Sequence, residues 1–282
     1  MKQSSTKSVR RLAADQDEVH AALTDLYRPG GGLSQPPGEL SAYFNDLTVA
    51  RMARTYMGLQ RDVSAGGHAV VVAAGPPGAG KTAALDTLAL PGYRKIDPDV
   101  AKDLILGEAE QHGLLSYRHS FTLPDGQPVG VRELAAHVHS ISTRTTDIVR
   151  RLALSAGENV IIDGTLSWEP LAGQYLSELF SAGYEGLEVV DVEAPLAVAL
   201  GRARKRWWDG RRGDPHMGGR FVPDEVIERI YAGPAGTSCC AANAWNLAER
   251  AADELGRGVL RRFDVDSATG EVRLTQATEF GS

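Results

Sequence analysis

The eight residues Gly75-Pro76-Pro77-Gly78-Ala79-Gly80-Lys81-Thr82 constrain this chain more than any other feature. They match the pattern G-x-x-x-x-G-K-[ST] and stand between a valine-rich apolar run at 69–74 and a segment, 81–90, that reads as a helix. Glycines let successive backbone N–H groups curl around phosphate oxygens, and a helix N-terminus adds a favourable dipole. In that setting Lys81 reaches the β- and γ-phosphates of ATP and the Thr82 hydroxyl holds Mg²⁺. An apolar run without alternation suits a strand buried on both faces, which predicts an α/β domain around a parallel sheet.

The remainder of the sequence agrees. Strands are expected at 93–96, 159–163 and 187–192, with helices from 98 and near 132–156, 168–182 and 195–208. Such alternation predicts a mainly parallel sheet with helices on both faces. Two short runs, 261–265 and 271–274, flank Asp266-Ser267-Ala268-Thr269-Gly270 and predict a closing hairpin. Ahead of the loop, Val19, Leu23 and Leu26 share one helical face until Arg28-Pro29-Gly30-Gly31-Gly32 breaks it, and a second helix is expected over 40–63. The chain thus divides into a helical extension, 1–66, and a nucleotide-binding domain, 67–282.

Composition narrows the partners. A net charge of −6 argues against an extended nucleic-acid surface. The two cysteines, Cys239 and Cys240, are adjacent and cannot make a disulfide framework, which suits a reducing cytoplasm. Lys2, Lys7, Arg10 and Arg11 are followed by no apolar stretch, so no signal peptide is expected. The run at 69–74 is far too short to span a bilayer, and no membrane partner is expected.

Three further motifs carry chemistry. Asp97-Pro98-Asp99 ends the strand after the loop, where ligands bind in open α/β sheets. Asp97, before a proline, suits a helix N-cap, and Asp99 suits a base that takes the proton of an acceptor hydroxyl. Asp163-Gly164-Thr165 ends another strand: Asp163 can bind Mg²⁺ through water and Thr165 can bond a substrate, although the triplet also suits a turn and cap. Arg202, Arg204, Lys205, Arg206, Arg211, Arg212 and Arg220 form a basic cluster, and phosphoryl transfer needs cations over the migrating charge. A solvated helix face or a local nucleic-acid patch would use the same residues. His137 and His139, two apart, fall on different sides of a helix and read as packing rather than a metal pair. Together these residues predict an ATP-dependent kinase for a small hydroxyl compound. A switch ATPase is the rival class, although Val160-Ile161-Ile162-Asp163 only partly matches the acidic strand such proteins need, and a nucleic-acid 5′-kinase rests on the basic cluster alone.

In this order the motifs resemble the zeta-toxin family of P-loop kinases, over about residues 68–274. The resemblance implies a P-loop kinase fold, ATP as donor, Mg²⁺, and a nucleotide sugar of the UDP-N-acetylglucosamine type as acceptor. It implies that Asp99 is the base. It further implies that Asp147, within Ser142-Thr143-Arg144-Thr145-Thr146-Asp147, binds substrate, and that Asp163-Gly164-Thr165 corresponds to the family's Glu-Gly-Thr, with Thr165 touching substrate. Arg206, before Trp207, and Arg220, before Phe221-Val222-Pro223, correspond to two phosphate-binding lid arginines, with Arg204 as the alternative to Arg206. Aspartates stand at 147 and 163 where glutamates are typical. The stretch from Asp99 to Asp147, with its turn Leu123-Pro124-Asp125-Gly126, is longer than in compact members and leaves an antibiotic or a dinucleotide open as acceptor. Because zeta-type toxins are often restrained by helical antitoxins, the resemblance implies an antitoxin partner. It also leaves 1–66 either as packing helices or as a built-in inhibitor.

Overall fold

Val70–Ala74 (β1), buried at all five positions, takes an inner place in a six-stranded sheet. The computed structural model describes residues 16–233, 236–266 and 269–281. The other strands are Arg94–Ile96 (β2), Val160–Ile162 (β3), Leu187–Glu193 (β4), Gly258–Val265 (β5) and Val272–Phe280 (β6), in the order β2-β3-β1-β4-β5-β6. All neighbours run parallel except β6, which returns antiparallel to β5. The C-terminal ends of β1, β2, β3 and β4 therefore share one edge, and the loops that follow them meet in one crevice.

Alternate strand residues feed two different cores. Val70, Val72 and Ala74 face helices His139–Ser155 (α6), Leu171–Ser181 (α7) and Cys239–Leu255 (α10). Val71 and Ala73 face Lys81–Thr87 (α4) and the start of Leu196–Gly213 (α8). A third core lies beside the sheet. In it Val19 and Leu23 from the helix at 16–27 (α1), Leu40 from Gly38–Tyr43 (α2), and Val49 and Met52 from Asp46–Met57 (α3) pack with Ile105 and Leu106 of Pro98–Gln111 (α5). Leu115, Leu134, Trp207 and Phe221 complete that core, so the N-terminal helices and the long 99–147 stretch form one helical lobe.

The mainly parallel sheet with helices on both faces is as expected, and the differences are local. The helix expected over 40–63 is two helices, because Asn45 Oδ1 accepts from Leu47 and Thr48 N–H and starts α3 afresh. Beyond Met57 the chain runs along β2: Gln60 Oε1 accepts from Lys95 N and Ser64 N donates to Gly92 O. The helix near 132–156 opens with 3-10 turns over Arg132–Val138. Asp224–Ile230 (α9) and α10 were not expected from sequence, although Ser238 caps α10 and Cys240, Ala244, Leu247 and Ala251 repeat at helical spacing against the sheet. The hairpin is longer than expected, and Ser267 and Ala268 of its turn lie outside the described residues, as do residues 1–15 of the extension. No described helix is long and apolar enough to cross a membrane.

Because α1–α3 cover Ile105, Leu106, Leu115 and Leu134, all buried, a chain starting at Ala65 would present that apolar face to water. Such a chain is expected to melt well below the full chain and to aggregate; equal melting temperatures in calorimetry would contradict this.

Candidate active site

Backbone crowding shapes the loop between β1 and α4. A Cβ on Gly75 would lie 2.3 Å from Val192 O, and one on Gly78 would lie 2.3 Å from Ala199 O. Both glycines also have positive φ, at 135° and 82°. Gly75 N donates to Thr165 O at 3.1 Å, which ties the loop to the segment after β3. Lys81 Nζ donates to the carbonyls of Gly75 (2.8 Å) and Pro76 (3.2 Å). Burial pushes the Lys81 ammonium below its usual range, and the nearby Asp163 opposes that shift. Thr82 is exposed in the first turn of α4.

In the Asp97-Pro98-Asp99 segment, Asp97 takes the expected helix-cap position. Asp97 Oδ1 accepts from Asp99 N at 2.8 Å and caps α5. Asp99 lies 3.2 Å from Lys102 Nζ and 3.4 Å from Arg220 Nη1. Burial acts to raise the Asp99 carboxyl, but Lys102 and Arg220 outweigh it and hold it below the usual carboxylate range. Arg220 also donates to Asp99 O and Asp103 Oδ2, both at 2.8 Å.

The geometry separates the arginines of α8. Arg204 is ion-paired with Asp224 of α9 and with Asp17 of α1, on the lobe side. Arg206 is exposed and stands one helical turn after Arg202, on the face of α8 that Arg202 joins to the phosphate loop. Arg211 is buried between Asp125 and Glu133. Arg202 donates to Ala79 O (3.3 Å) and Gly270 O (2.6 Å), strapping the phosphate loop to the terminal hairpin. Sequence reasoning merged it with the cluster, although Arg202 and Arg206 stand one helical turn apart on one face.

The two acidic substrate-side positions behave differently. Asp163 Oδ2 is 2.9 Å from Lys95 Nζ, which also reaches Asp97 Oδ2 at 3.3 Å, so its counter-charge in the protein is Lys95. Asp147 pairs with Arg150 at 3.0 Å, and Arg150 in turn binds Glu178 of α7; no described contact joins Asp147 to Thr165 or Asp99. Thr165 Oγ1 shares a hydrogen bond with Ser167 Oγ at 2.9 Å. The next residue, Leu166, has φ +54°, and its carbonyl is gripped by Asn243 Nδ2 of α10 at 2.8 Å. His137 is a packing residue, bonded to Tyr117 Oη and Leu33 O. Among the described residues no three His, Cys, Asp or Glu side chains are grouped to hold a metal.

One acid had no sequence signal. Asp191 on β4, paired in register with Ala74 just before the loop, is fully buried, and neither carboxylate oxygen has a described hydrogen-bond partner. Burial, and then the charge of Glu193, push it up to about 7 against the pull of Arg262. Glu193 itself accepts from Ser238 N and Oγ at the start of α10.

A protein-family model described as Zeta toxin matches residues 58–249, more than half of the chain. Among solved structures, one from the PezAT chromosomal toxin–antitoxin system of Streptococcus pneumoniae has a TM-score of 0.56 at 14% identity, covering 83% of this chain and 81% of that one. It shares the α/β fold. The AvrRxo1-ORF1:-ORF2 complex with ATP gives 0.49 at 18% identity, covering 95% of this chain and 66% of that one. The same pair with sulphate ions gives 0.48 at 20%, covering 80% and 61%. No curated protein matches the sequence.

The Asp191 carboxyl is raised to about 7, above its value in an unfolded chain, so its stabilising share is complete only below pH ~4 and is lost as pH rises through 7. Asp191→Asn removes that loss. The variant is expected to gain on the order of 2–4 kcal/mol over wild type between pH 5 and pH 8. Denaturant titrations showing no pH-dependent gap would contradict it.

Proposed function

The chain belongs to the zeta-toxin family, and we propose that it is an ATP-dependent kinase that moves the γ-phosphoryl group to a hydroxyl of a small molecule. The leading acceptor is a UDP-activated amino sugar such as UDP-N-acetylglucosamine. The observation that carries this reading is the shared crevice: the glycine-bounded loop with Lys81 at its base follows β1, Asp99 follows β2, and Arg206 stands one helical turn from Arg202, which is bonded to Ala79 O of the loop. A phosphate-binding loop, a carboxylate and a cation opening on one crevice are what an in-line phosphoryl transfer requires.

In this account the backbone of Gly75, Pro76, Pro77, Gly78, Ala79 and Gly80 cradles the ATP phosphates, and Lys81 turns from its loop carbonyls to them. Thr82, together with phosphate oxygens, would hold Mg²⁺, with Asp163 beside Lys95 able to act through water; the ion would neutralise charge on the donor. Asp99 orients the acceptor hydroxyl and receives its proton as the new P–O bond forms. Arg220 fixes the Asp99 carboxylate, and Arg206 neutralises the migrating charge. Thr165 bonds the acceptor, and Asp147 joins it only if its pairing with Arg150 opens. Lys95 beside Asp163, where a switch ATPase would need a catalytic acidic pair, weighs against that rival.

The described contacts of residues 16–66 run to β2, α5, α6, α8, α9 and the segments around them, and none to 75–82. We therefore assign the described part of the 1–66 extension, 16–66, to packing on a kinase domain at 67–282, and any restraint to a separate antitoxin; the PezAT neighbour is part of a toxin–antitoxin system. The two free thiols and the charge of −6 support a cytoplasmic setting.

Lys81→Ala is expected to abolish transfer in a folded protein. Asp99→Asn should lower kcat by ~10²–10⁴ with ATP affinity, by direct titration, almost unchanged. Arg206→Ala should cost ~10³–10⁵, and Arg204→Ala little. Because Asp99 is held low, kcat should fall on acidification only below the usual carboxylate range. Normal transfer by Asp99→Asn would remove the mechanism.

A further inference from the structure

The turn after β3 is held from outside itself. Thr165 Oγ1 accepts from Ser167 N at 3.3 Å and shares a hydrogen bond with Ser167 Oγ at 2.9 Å, so the hydroxyl is aimed by bonds that span Leu166. Thr165 O takes Gly75 N at 3.1 Å. Both sets of contacts depend on the backbone at Leu166, which stands at φ +54°. A left-handed conformation crowds the Cβ of any residue but glycine, and leucine has no polar side-chain group to offset it locally. Something else has to hold it.

Two anchors do so. The Leu166 side chain is buried in the core that α6, α7 and α10 cover. Its carbonyl accepts from Asn243 Nδ2 at 2.8 Å, and Ser167 O accepts from Cys239 Sγ at 3.6 Å. Cys239 and Asn243 are one turn apart on α10, so one helix face grips two successive carbonyls. A thiol is a weak donor, which makes Asn243 the stronger grip. The start of α10 is itself fixed to the sheet, because Ser238 N and Oγ both donate to the Glu193 carboxylate of β4. Glu193 follows Val192, whose carbonyl fills the space beside Gly75. The contacts close a ring, from β4 through α10 and the 165–167 turn to Gly75 and back to β4.

We propose that Asn243 is a positioning residue: its amide keeps Leu166 left-handed, and so sets Thr165 Oγ1 against the acceptor and Thr165 O against the phosphate loop. The acceptor half of this inference rests on the kinase reading, in which Thr165 bonds the acceptor; the tie to Gly75 stands apart from it. The bond needs a donor at 243. Leu166 O only accepts, so an aspartate there, of nearly the same shape, would meet it with a repelling carboxylate. Without the bond Leu166 relaxes toward negative φ, the bonds across it are lost, and the acceptor contact and the loop tie loosen in the same motion.

The test uses the full chain with Asn243→Asp, and with Asn243→Ala as the uncharged variant. A net hydrogen bond corresponds to a factor of about 3–10. Exchange of the Gly75 amide, followed by NMR, should quicken by that factor, while amides within β1 and α4 keep wild-type rates. In turnover with ATP and UDP-N-acetylglucosamine, the acceptor KM should rise ~3–10-fold with kcat near wild type. Because Asn243 acts through Thr165, Asn243→Asp added to Thr165→Val should raise KM no further. A packing defect would instead add in full and would quicken exchange throughout the domain. Wild-type exchange at Gly75, an unchanged KM, or full additivity with Thr165→Val would overturn the inference. Faster Gly75 exchange in a chain that moves no phosphate to this acceptor would sink the kinase reading for that acceptor and leave the Asn243 clamp standing.

Discussion

Val192 O occupies the space that a side chain at position 75 would need, and Thr165 O takes the Gly75 N–H. The exit of β1 is thereby wedged between the ends of β3 and β4, and every other part of the crevice is measured from that wedge. The phosphate loop has to rise over β4 and α8, which is why Gly78 is pressed against Ala199 O. The loop after β3 has to lean on Gly75, which brings Thr165 and Asp163 to the mouth of the site. Filling position 75 with any side chain would move all three elements apart at once.

Helix α8 couples this crevice to the helical lobe. Along one helix, Arg202 holds the phosphate loop to the hairpin, Arg206 stands one turn further on the same face, and Trp207 and Arg211 lock into Glu133 and Asp125. The lobe in turn brings Arg132 and, through the 216–220 segment, Arg220 together on Asp103, beside Asp99. The N-terminal helices enter by the same route, since Tyr27 Oη donates to Glu133 O and Asp17 pairs with Arg204. Stability of the lobe and placement of the site cations are therefore one packing problem.

Local rules made part of this legible in sequence. The phosphate loop, the capping role of Asp97 and the parallel sheet depend on neighbours within a few residues, and spacing alone exposes them. Arg204 and Arg206 were not separable, because the pairing of Arg204 depends on where Asp224 and α1 pack. Asp147 resembles a substrate residue by position, yet Arg150, three residues on, pairs with it. Asp191 and Lys95 gave no signal, since burial beside the loop and reach to Asp163 are set by strand register. Helix α10 was overlooked because its buried face is mostly alanine and cysteine, too weakly apolar to stand out, even though its cap and spacing were present.

Phosphoryl transfer to an acceptor is the central claim, and it is measured most directly by incubating the protein with ATP, Mg²⁺ and a metabolite extract, followed by mass spectrometry. The account predicts that one phosphate-bearing metabolite gains a single further phosphoryl group, in step with ADP release, and that the Lys81→Ala protein leaves the extract unchanged. ADP release with no phosphorylated product in any fraction would contradict it.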